Sequence, residues 1–352
     1  MSQEEKNIKV LLVHVGAASF VKNDLRILEK YFNVETLEFP NSSMNVSKFI
    51  KRAIYTLLNG AFLISRSDAV VVWFTDAHAA WTIFLSKLLR KKTLVVVGGY
   101  DVACVPEIKY GMCTKNKIRQ ISRTFALNNS DMLLPVSYNT KKECSRYLLH
   151  ATLCRPVYLG CQIPSLRNRK KKQPTLPLVI TVGAVKWSNL KRKGIEIFVK
   201  TARLFKHSNV KFVVIGKIMD SSIDYLREIS GNNVEFTDFV TNDELERYYK
   251  EASVYVQPSY HEGFGCSVAE SMLYECVPVV SSKGALPEVV GDTGIIVNIN
   301  DYKNVAEGIK QALSNPKLGK KAKIKVIRRF SLERREHILE KLIKLLVEGE
   351  IR

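Results

Sequence analysis

No CxxC pair occurs in this sequence, and its seven cysteines are scattered and odd in number. That speaks against a zinc ribbon and a disulfide-built fold. The expectation is of reduced, buried thiols in a cytoplasmic protein, with Cys104 and Cys113 the only two close together in an expected loop. No apolar run approaches the ~18 residues that span a bilayer. The longest candidate, Ala53 to Ile64, is too short and holds Asn59 and Gly60. The first residues, Met1-Ser2-Gln3-Glu4-Glu5-Lys6, are polar and acidic, unlike a signal peptide. No Asp-x-Asp pair occurs anywhere. Acidic residues are few: 34 Asp and Glu face 54 Lys and Arg, for a formal net charge of +20. The excess is uneven. Met1 to Lys172 carries 27 cations against 12 carboxylates (+15), and the remainder 27 against 22 (+5). Such a field attracts nucleic acid, anionic membrane or phosphorylated substrates. No recognised nucleic-acid module and no aromatic–basic cluster is present, so nucleic acid is not an expected partner.

What is present is alternation. A chain of 352 residues suits two domains of ordinary size. Lys9–Val15, Ala69–Phe74, Thr93–Gly99 and Asp131–Ser137 read as buried parallel strands separated by amphipathic helices such as Asp24–Phe32. Leu166 to Pro174 is polar, basic and ends in proline, and reads as a linker. A second alternating series begins at Leu178–Gly183. It continues through Val210–Gly216, Val234–Phe236, Val254–Val256 and Val277–Val280. The fold class is therefore α/β with two parallel sheets, each covered on both faces. The expected domains are 1–165, a linker at 166–176, and 177–330. Ser331 to Glu348 reads as a charged helix with Leu/Ile periodicity.

Glu262-Gly263-Phe264-Gly265-Cys266-Ser267-Val268-Ala269-Glu270 carries the most chemistry. A buried strand ends at Pro258-Ser259 before it, and a helix over Val268 to Tyr274 follows. Backbone N–H groups gather where a strand-to-helix loop meets a helix N-terminus, a place that suits an anion. Glycines let a ligand approach the backbone closely. Carboxylates beside an anion need a reason, and sugar hydroxyls supply one. A ligand with a central diphosphate and a sugar at each end fits that pattern. With Pro278-Val279-Val280, Gly284 to Val290 and Gly294 to Val297 downstream, the segment resembles the E-x7-E motif of retaining glycosyltransferases of the GT-B fold, in particular family 4.

The resemblance implies two Rossmann-like domains facing across a cleft, with the last helix, 331–352, crossing back to the first domain. It implies that Glu270 holds the ribose hydroxyls and that Glu262 binds the donor sugar near the reaction centre. Backbone groups of Gly263, Phe264, Gly265, Cys266, Ser267 and Val268 would hold sugar hydroxyls and phosphate. Gly183 to Gly194 resembles the family's Gly-Arg-Leu…Lys-Gly segment. Lys193 is thereby assigned to the diphosphate; the family's Arg position holds Ala184, with Lys186 two residues on as its substitute. Val240, beside Phe239, falls where relatives contact the base. Gly16 follows the first strand, where relatives bring a backbone loop to the diphosphate. Gly98-Gly99-Tyr100-Asp101 lies at a strand's C-terminal end, where open sheets place ligands. Asp101 is the local candidate for a base or hydroxyl acceptor, with Tyr100 and His78 on the same acceptor side. The histidine common near this position in relatives is absent. Asn45 to Arg66 reads as a helix, apolar on one side with Lys48, Lys51 and Arg52 on the other, either packed on the sheet or lying on an anionic membrane.

The reading is a retaining glycosyltransferase that moves a hexose from a UDP- or GDP-linked sugar to a glycan or lipid-linked acceptor, with no metal and no separate cofactor. The missing Asp-x-Asp pair leaves the leaving-group charge to cations and helix N-termini. The expected location is the cytoplasm, with peripheral contact at the inner membrane face. The rivals are a sugar phosphorylase, a transferase to a small soluble acceptor, a catalytically dead nucleotide-sugar-binding subunit and a basic nucleic-acid-binding protein.

Overall fold

The computed structural model describes residues 7–16, 18–40, 46–163 and 176–350, with the backbone alone over 46–54. The expected linker, except Leu176, and the side chains of Lys48, Lys51 and Arg52 lie outside the described residues. The chain divides into two compact units, one of Met1–Gly160 with Glu333–Arg352, the other of Cys161–Leu332.

The first unit runs β1 (Lys9–His14), α1 (Ser19–Tyr31), β2 (Asn33–Glu38), α2 (Val46–Arg66), β3 (Ala69–Trp73), α3 (Ala77–Leu88), β4 (Lys92–Val97), α4 (Lys117–Asn129), β5 (Met132–Pro135) and α5 (Tyr138–Cys144). Its five strands are all parallel, in the order β2-β1-β3-β4-β5. Successive side chains point to opposite faces, so each strand feeds two cores. Leu11, Val13, Val70, Val72, Val95 and Val97 join Ile64 of α2, Ile83 of α3 and Ala126 of α4 on one face. Trp73 points the other way, its indole N–H donating to Asp24 of α1 at 3.1 Å.

The second unit runs β6 (Leu178–Val182), α6 (Trp187–Arg192), α7 (Ile195–Ala202), β7 (Lys211–Ile215), α8 (Ser222–Ile229), β8 (Val234–Phe236), α9 (Asn242–Glu251), β9 (Val254–Gln257), α10 (Cys266–Leu273), β10 (Val277–Ser281), α11 (Leu286–Val290), β11 (Ile295–Val297), α12 (Tyr302–Ser314) and α13 (Lys317–Arg329). Six parallel strands lie in the order β11-β10-β9-β6-β7-β8. The order reverses beside β6, and ligands of open α/β sheets sit at the strands' carboxyl ends near such a switch.

The last helix, α14 (Leu332–Glu348), packs in the first unit from Glu333 onward. Arg335 is its anchor. Its Nε and Nη2 donate to Asp24 at 2.6 and 2.7 Å, and its Nη1 to the carbonyls of Val157 and Tyr158. Both partners are almost fully buried, and the guanidinium fork matches the carboxylate's two oxygens.

One expectation is corrected here. Cys104 and Cys113 are joined by a disulfide, with Cα atoms 5.4 Å apart. The loop doubles back through an antiparallel bridge between Val105 and Tyr110, which brings the two thiols together. Gly111, at φ +101°, makes that return; a Cβ there would lie 2.0 Å from the Ala103 carbonyl oxygen. The other five cysteines form no disulfide.

Candidate functional site

The second unit brings Lys193, Arg192, Glu262 and Glu270 together at the carboxyl end of its sheet. The expected basic loop over Gly183 to Gly194 contains a short helix, α6, whose last turn delivers Arg192 and Lys193. Gly194 then takes φ +74°, and a Cβ there would lie 2.3 Å from the Pro258 carbonyl oxygen. Only glycine lets this connection pass so close to the chain leaving β9.

Glu262 lies at the centre. Lys193 Nζ stands 2.8 Å from its Oε1 and Arg192 Nη1 3.8 Å. Gln257, the last residue of β9 and fully buried, donates to the same oxygen at 2.8 Å, and Ser259 Oγ stands 3.2 Å away. Tyr255 fixes Gln257 in turn, its hydroxyl donating to Oε1 of the amide at 2.8 Å. Gly284, at φ +59°, passes under the Glu262 backbone, where a Cβ would lie 2.5 Å from its carbonyl oxygen. Burial alone would raise the Glu262 pKa, but Lys193 and Arg192 outweigh it and hold the carboxyl below its ordinary range.

Glu270 sits one turn inside α10, which begins at Cys266 rather than Val268. Tyr249 donates to its Oε2 at 3.3 Å. Burial raises the Glu270 pKa, with Tyr249 and Lys193 partly offsetting it. The two carboxylates of the motif are therefore driven in opposite directions, one firmly ionised and one closer to protonation.

Gly265, at φ +97°, starts α10, and Leu286 would crowd a Cβ there at 2.9 Å. Phe264 turns its ring into the core against Phe330, 5.3 Å away, and Val268 is fully buried. Both can meet a ligand only through the backbone. Ser267 bonds the buried Tyr255 hydroxyl. Lys186 lies apart from this group: it precedes α6, and its charge acts on Asp220. Phe239 is 70 % exposed instead of packed in the core, and Val240 is half-buried beside it.

The residues expected on the acceptor side belong to the first unit. Gly16 follows β1 at φ +81°, with open space where a Cβ would stand. Tyr100 packs edge-on against Tyr110. Asp101 and His78 are corrections. Asp101 is 1 % exposed, and its carboxylate accepts the amides of Gly98 and Gly99, so it braces the turn after β4 and presents no basic oxygen to a substrate. His78 is buried, and its Nε2–H donates to the Trp73 carbonyl at 2.9 Å, which holds the start of α3 against the end of β3. Its pKa is lowered by burial.

Burial pushes the Asp101 pKa up to about 6. A carboxyl raised in the folded state favours folding at low pH, and that advantage is lost as pH rises through the folded value. Unfolding free energy should therefore fall by about 3 kcal/mol between pH 3 and 7 on account of this group. Asp101→Asn should flatten that window in denaturant titrations; an unchanged slope would contradict the burial argument.

Sequence reasoning missed Gln257 and Tyr249. Gln257 left a signal, as the one amide at the end of an otherwise apolar buried strand. It also missed His14 at the end of β1, which is 7 % exposed, with an Nδ1 that has no hydrogen-bond partner among the described residues.

Comparison with known proteins bears on the same residues. Residues 176–315 match the family model for glycosyl transferases group 1. The chain is 35 % identical over 138 residues to the capsular polysaccharide biosynthesis glycosyltransferase CapM of Staphylococcus aureus, an alignment that covers 37 % of this chain and 36 % of CapM. The chain spans about half, or less, of the length of the curated relatives it matches first. Over 97 % of its length it resembles the solved sucrose-phosphate synthase of Thermosynechococcus elongatus, with a TM-score of 0.75 at 17 % identity and the whole of that chain covered. The HepE protein of Anabaena, solved with UDP and glucose, gives a TM-score of 0.74 at 14 % identity, covering 96 % of this chain and all of that one. No helix among the described residues is long and apolar enough to cross a membrane. The fold is GT-B, with two Rossmann-like parallel-sheet units, and the family match over the second unit supports a glycosyltransferase.

Proposed function

We propose that the chain transfers a hexose from a nucleoside-diphosphate sugar, UDP- or GDP-linked, to a glycan or lipid-linked acceptor, with retention and without a metal. The observation that carries this reading is the pairing of Glu262 with Lys193 and Arg192 beside the N-terminus of α10, with Glu270 one turn on. Glu262 Oε2 takes part in none of the contacts described above and would accept a donor-sugar hydroxyl. Glu270 would accept the ribose hydroxyls, and its own ionisation would be favoured by the hydrogen bonds it then receives. Lys193, Arg192 and the positive end of α10 would meet the charge that grows on the leaving diphosphate as the glycosidic bond breaks. Base contact at Val240 and Phe239, a diphosphate contact at Gly16 and an acceptor-side role for Tyr100 belong to the same proposal. The CapM match and the UDP and glucose in the HepE structure support the donor class.

A thermal-shift screen of UDP- and GDP-sugars in excess EDTA tests it. A nucleotide sugar at a hundred times its Kd should stabilise the fold by about 2.7 kcal/mol, and transfer measured with that sugar should survive the chelator. Activity that vanishes with EDTA and returns with Mg²⁺ or Mn²⁺ would overturn the metal-free assignment of charge to Lys193 and Arg192.

A further inference from the structure

Two adjoining cavities in the second unit lie outside the group formed by Lys193, Glu262 and Glu270. The first, of about 210 Å³, opens between the chain segments that follow β6, β9 and β11. None of those three residues lines it. Leu190, Pro258 and Ile299, all buried, give it apolar walls. Among them stand groups that donate and groups that accept. The Tyr260 hydroxyl donates to Asn300 Oδ1 at 2.8 Å, which leaves the Asn300 amide nitrogen to donate elsewhere. Glu196 Oε1 takes both Lys200 Nζ at 2.6 Å and the Tyr225 hydroxyl at 2.8 Å, and Oε2 takes part in neither bond. Burial opposes the ionisation of Glu196, but Lys200 and Tyr225 outweigh it and hold the carboxyl below its ordinary range.

The second cavity, of about 620 Å³, shares Lys200 and Tyr302 with the first. Its other walls are Arg203, Leu204 and Lys206, so three cations and no carboxylate line it. Arg203 and Lys206 are exposed and enter no ion pair among the described residues. Asp301, beside Tyr302, is committed to capping α12 through the amides of Lys303 and Asn304, at 2.8 and 3.2 Å. The two cavities therefore share a wall and differ in charge. One mixes donors, acceptors and apolar surface; the other is cationic.

We infer that the paired cavities bind an anionic carbohydrate, with a sugar ring in the first and its phosphate or carboxylate over the second. The first is smaller than the ~300–1,000 Å³ of sites for drug-sized ligands, so it suits a single ring. Sugar hydroxyls donate and accept at once, which matches Glu196, Asn300 and Lys191, while the ring's C–H groups meet the apolar walls. Glu196 disfavours an anion in the first cavity, and Lys200, Arg203 and Lys206 favour it in the second. A neutral sugar would leave those cations unused. A bare anion would leave the first cavity unfilled, and a nucleotide's base and ribose together need more room than it has. The inference does not rest on the donor assignment, which uses other residues.

Calorimetric titration of the full chain with glucose-6-phosphate and with digalacturonate tests it. The one is a free sugar phosphate, the other a piece of an acidic glycan. At least one should bind saturably, and glucose or inorganic phosphate alone should bind at least roughly tenfold more weakly, because each fills one cavity only. Tighter binding of glucose-6-phosphate assigns the site to a small sugar phosphate, and tighter binding of digalacturonate to a glycan chain; either supports the inference. Arg203→Gln with Lys206→Gln should weaken binding roughly fivefold, as exposed ionic contacts do. Tyr302→Ala should also cost roughly fivefold, through lost apolar contact. These side chains are exposed, so near-UV circular dichroism should stay as in the parent chain. Glu270→Ala, or excess UDP with GDP, should leave the affinity unchanged, and the Arg203/Lys206 variant should bind nucleotide sugar as the parent chain does. Binding of neither probe, equal binding of glucose or phosphate alone, or full affinity in the substituted chains would overturn the inference. So would displacement by UDP or GDP, which would put the probe in the donor site.

Discussion

Lys193→Ala is expected to lower turnover by roughly 10²–10³-fold, the range for removal of one preorganised charge stabiliser. It should also destabilise the second unit. Lys193 and Glu262 are 18 % and 12 % exposed at their side chains, and removing one partner leaves the other charge buried. The cost is on the order of 3 kcal/mol, at the low end for a broken buried pair because Arg192 remains 3.8 Å away. Adding Glu262→Gln separates the two effects. The double variant should regain most of the stability, since no buried charge is left unpaired, yet recover no turnover. Recovery of turnover together with stability would reduce Lys193 to a structural partner of Glu262. With its folded pKa held down, Glu262 contributes stability above its ordinary value of 4.5 that is lost as pH falls through the lower folded value.

Gly194→Ala should come close to the same loss of activity without touching a charge. At φ +74° any Cβ is strained by about 1–2 kcal/mol. This one would also stand 2.3 Å from the Pro258 carbonyl oxygen. The overlap is relieved only by moving the connection that holds Lys193, and a misplacement of about 1 Å is enough to cost roughly 100-fold in rate. Gly349→Ala is the control. Its φ of +76° brings the same backbone strain, but its Cβ would meet nothing within 4 Å. It should shift the melting temperature slightly. If Gly194→Ala proves as mild as Gly349→Ala in both stability and kcat, the close passage of this connection over Pro258 is not what positions Lys193.

The sheets were legible in the sequence for a physical reason. Strands buried on both faces must be continuously apolar, and Lys9–His14, Ala69–Trp73 and Lys211–Ile215 show it. The edge strand Asn33–Glu38 was not legible, because only Leu37 in it is buried and it has no apolar run. The acidic motif was legible through its glycines and its place between strand and helix. Its partners were not. Lys193 and Glu262 are far apart in the chain, and no local pattern announces that their charges meet. Asp101 shows the converse: a carboxylate at a strand's carboxyl end looks available, and only the turn amides of Gly98 and Gly99 reveal that it faces inward. Cys104 and Cys113 likewise needed the bridge between Val105 and Tyr110 to be seen as a pair.

The central claim is that the second unit binds a nucleotide sugar through Glu270 and the Lys193–Glu262 pair. Titration calorimetry of the nucleotide sugar selected by the thermal-shift screen, into the parent chain and into Glu270→Ala, tests it most directly. The account predicts saturable binding by the parent chain and a loss of about 1.5–3 kcal/mol in the variant, the worth of hydrogen bonds to a charged group. The circular dichroism of the two chains should be the same. Equal affinity in both would contradict the assignment of Glu270, and with it the placing of the donor in this unit.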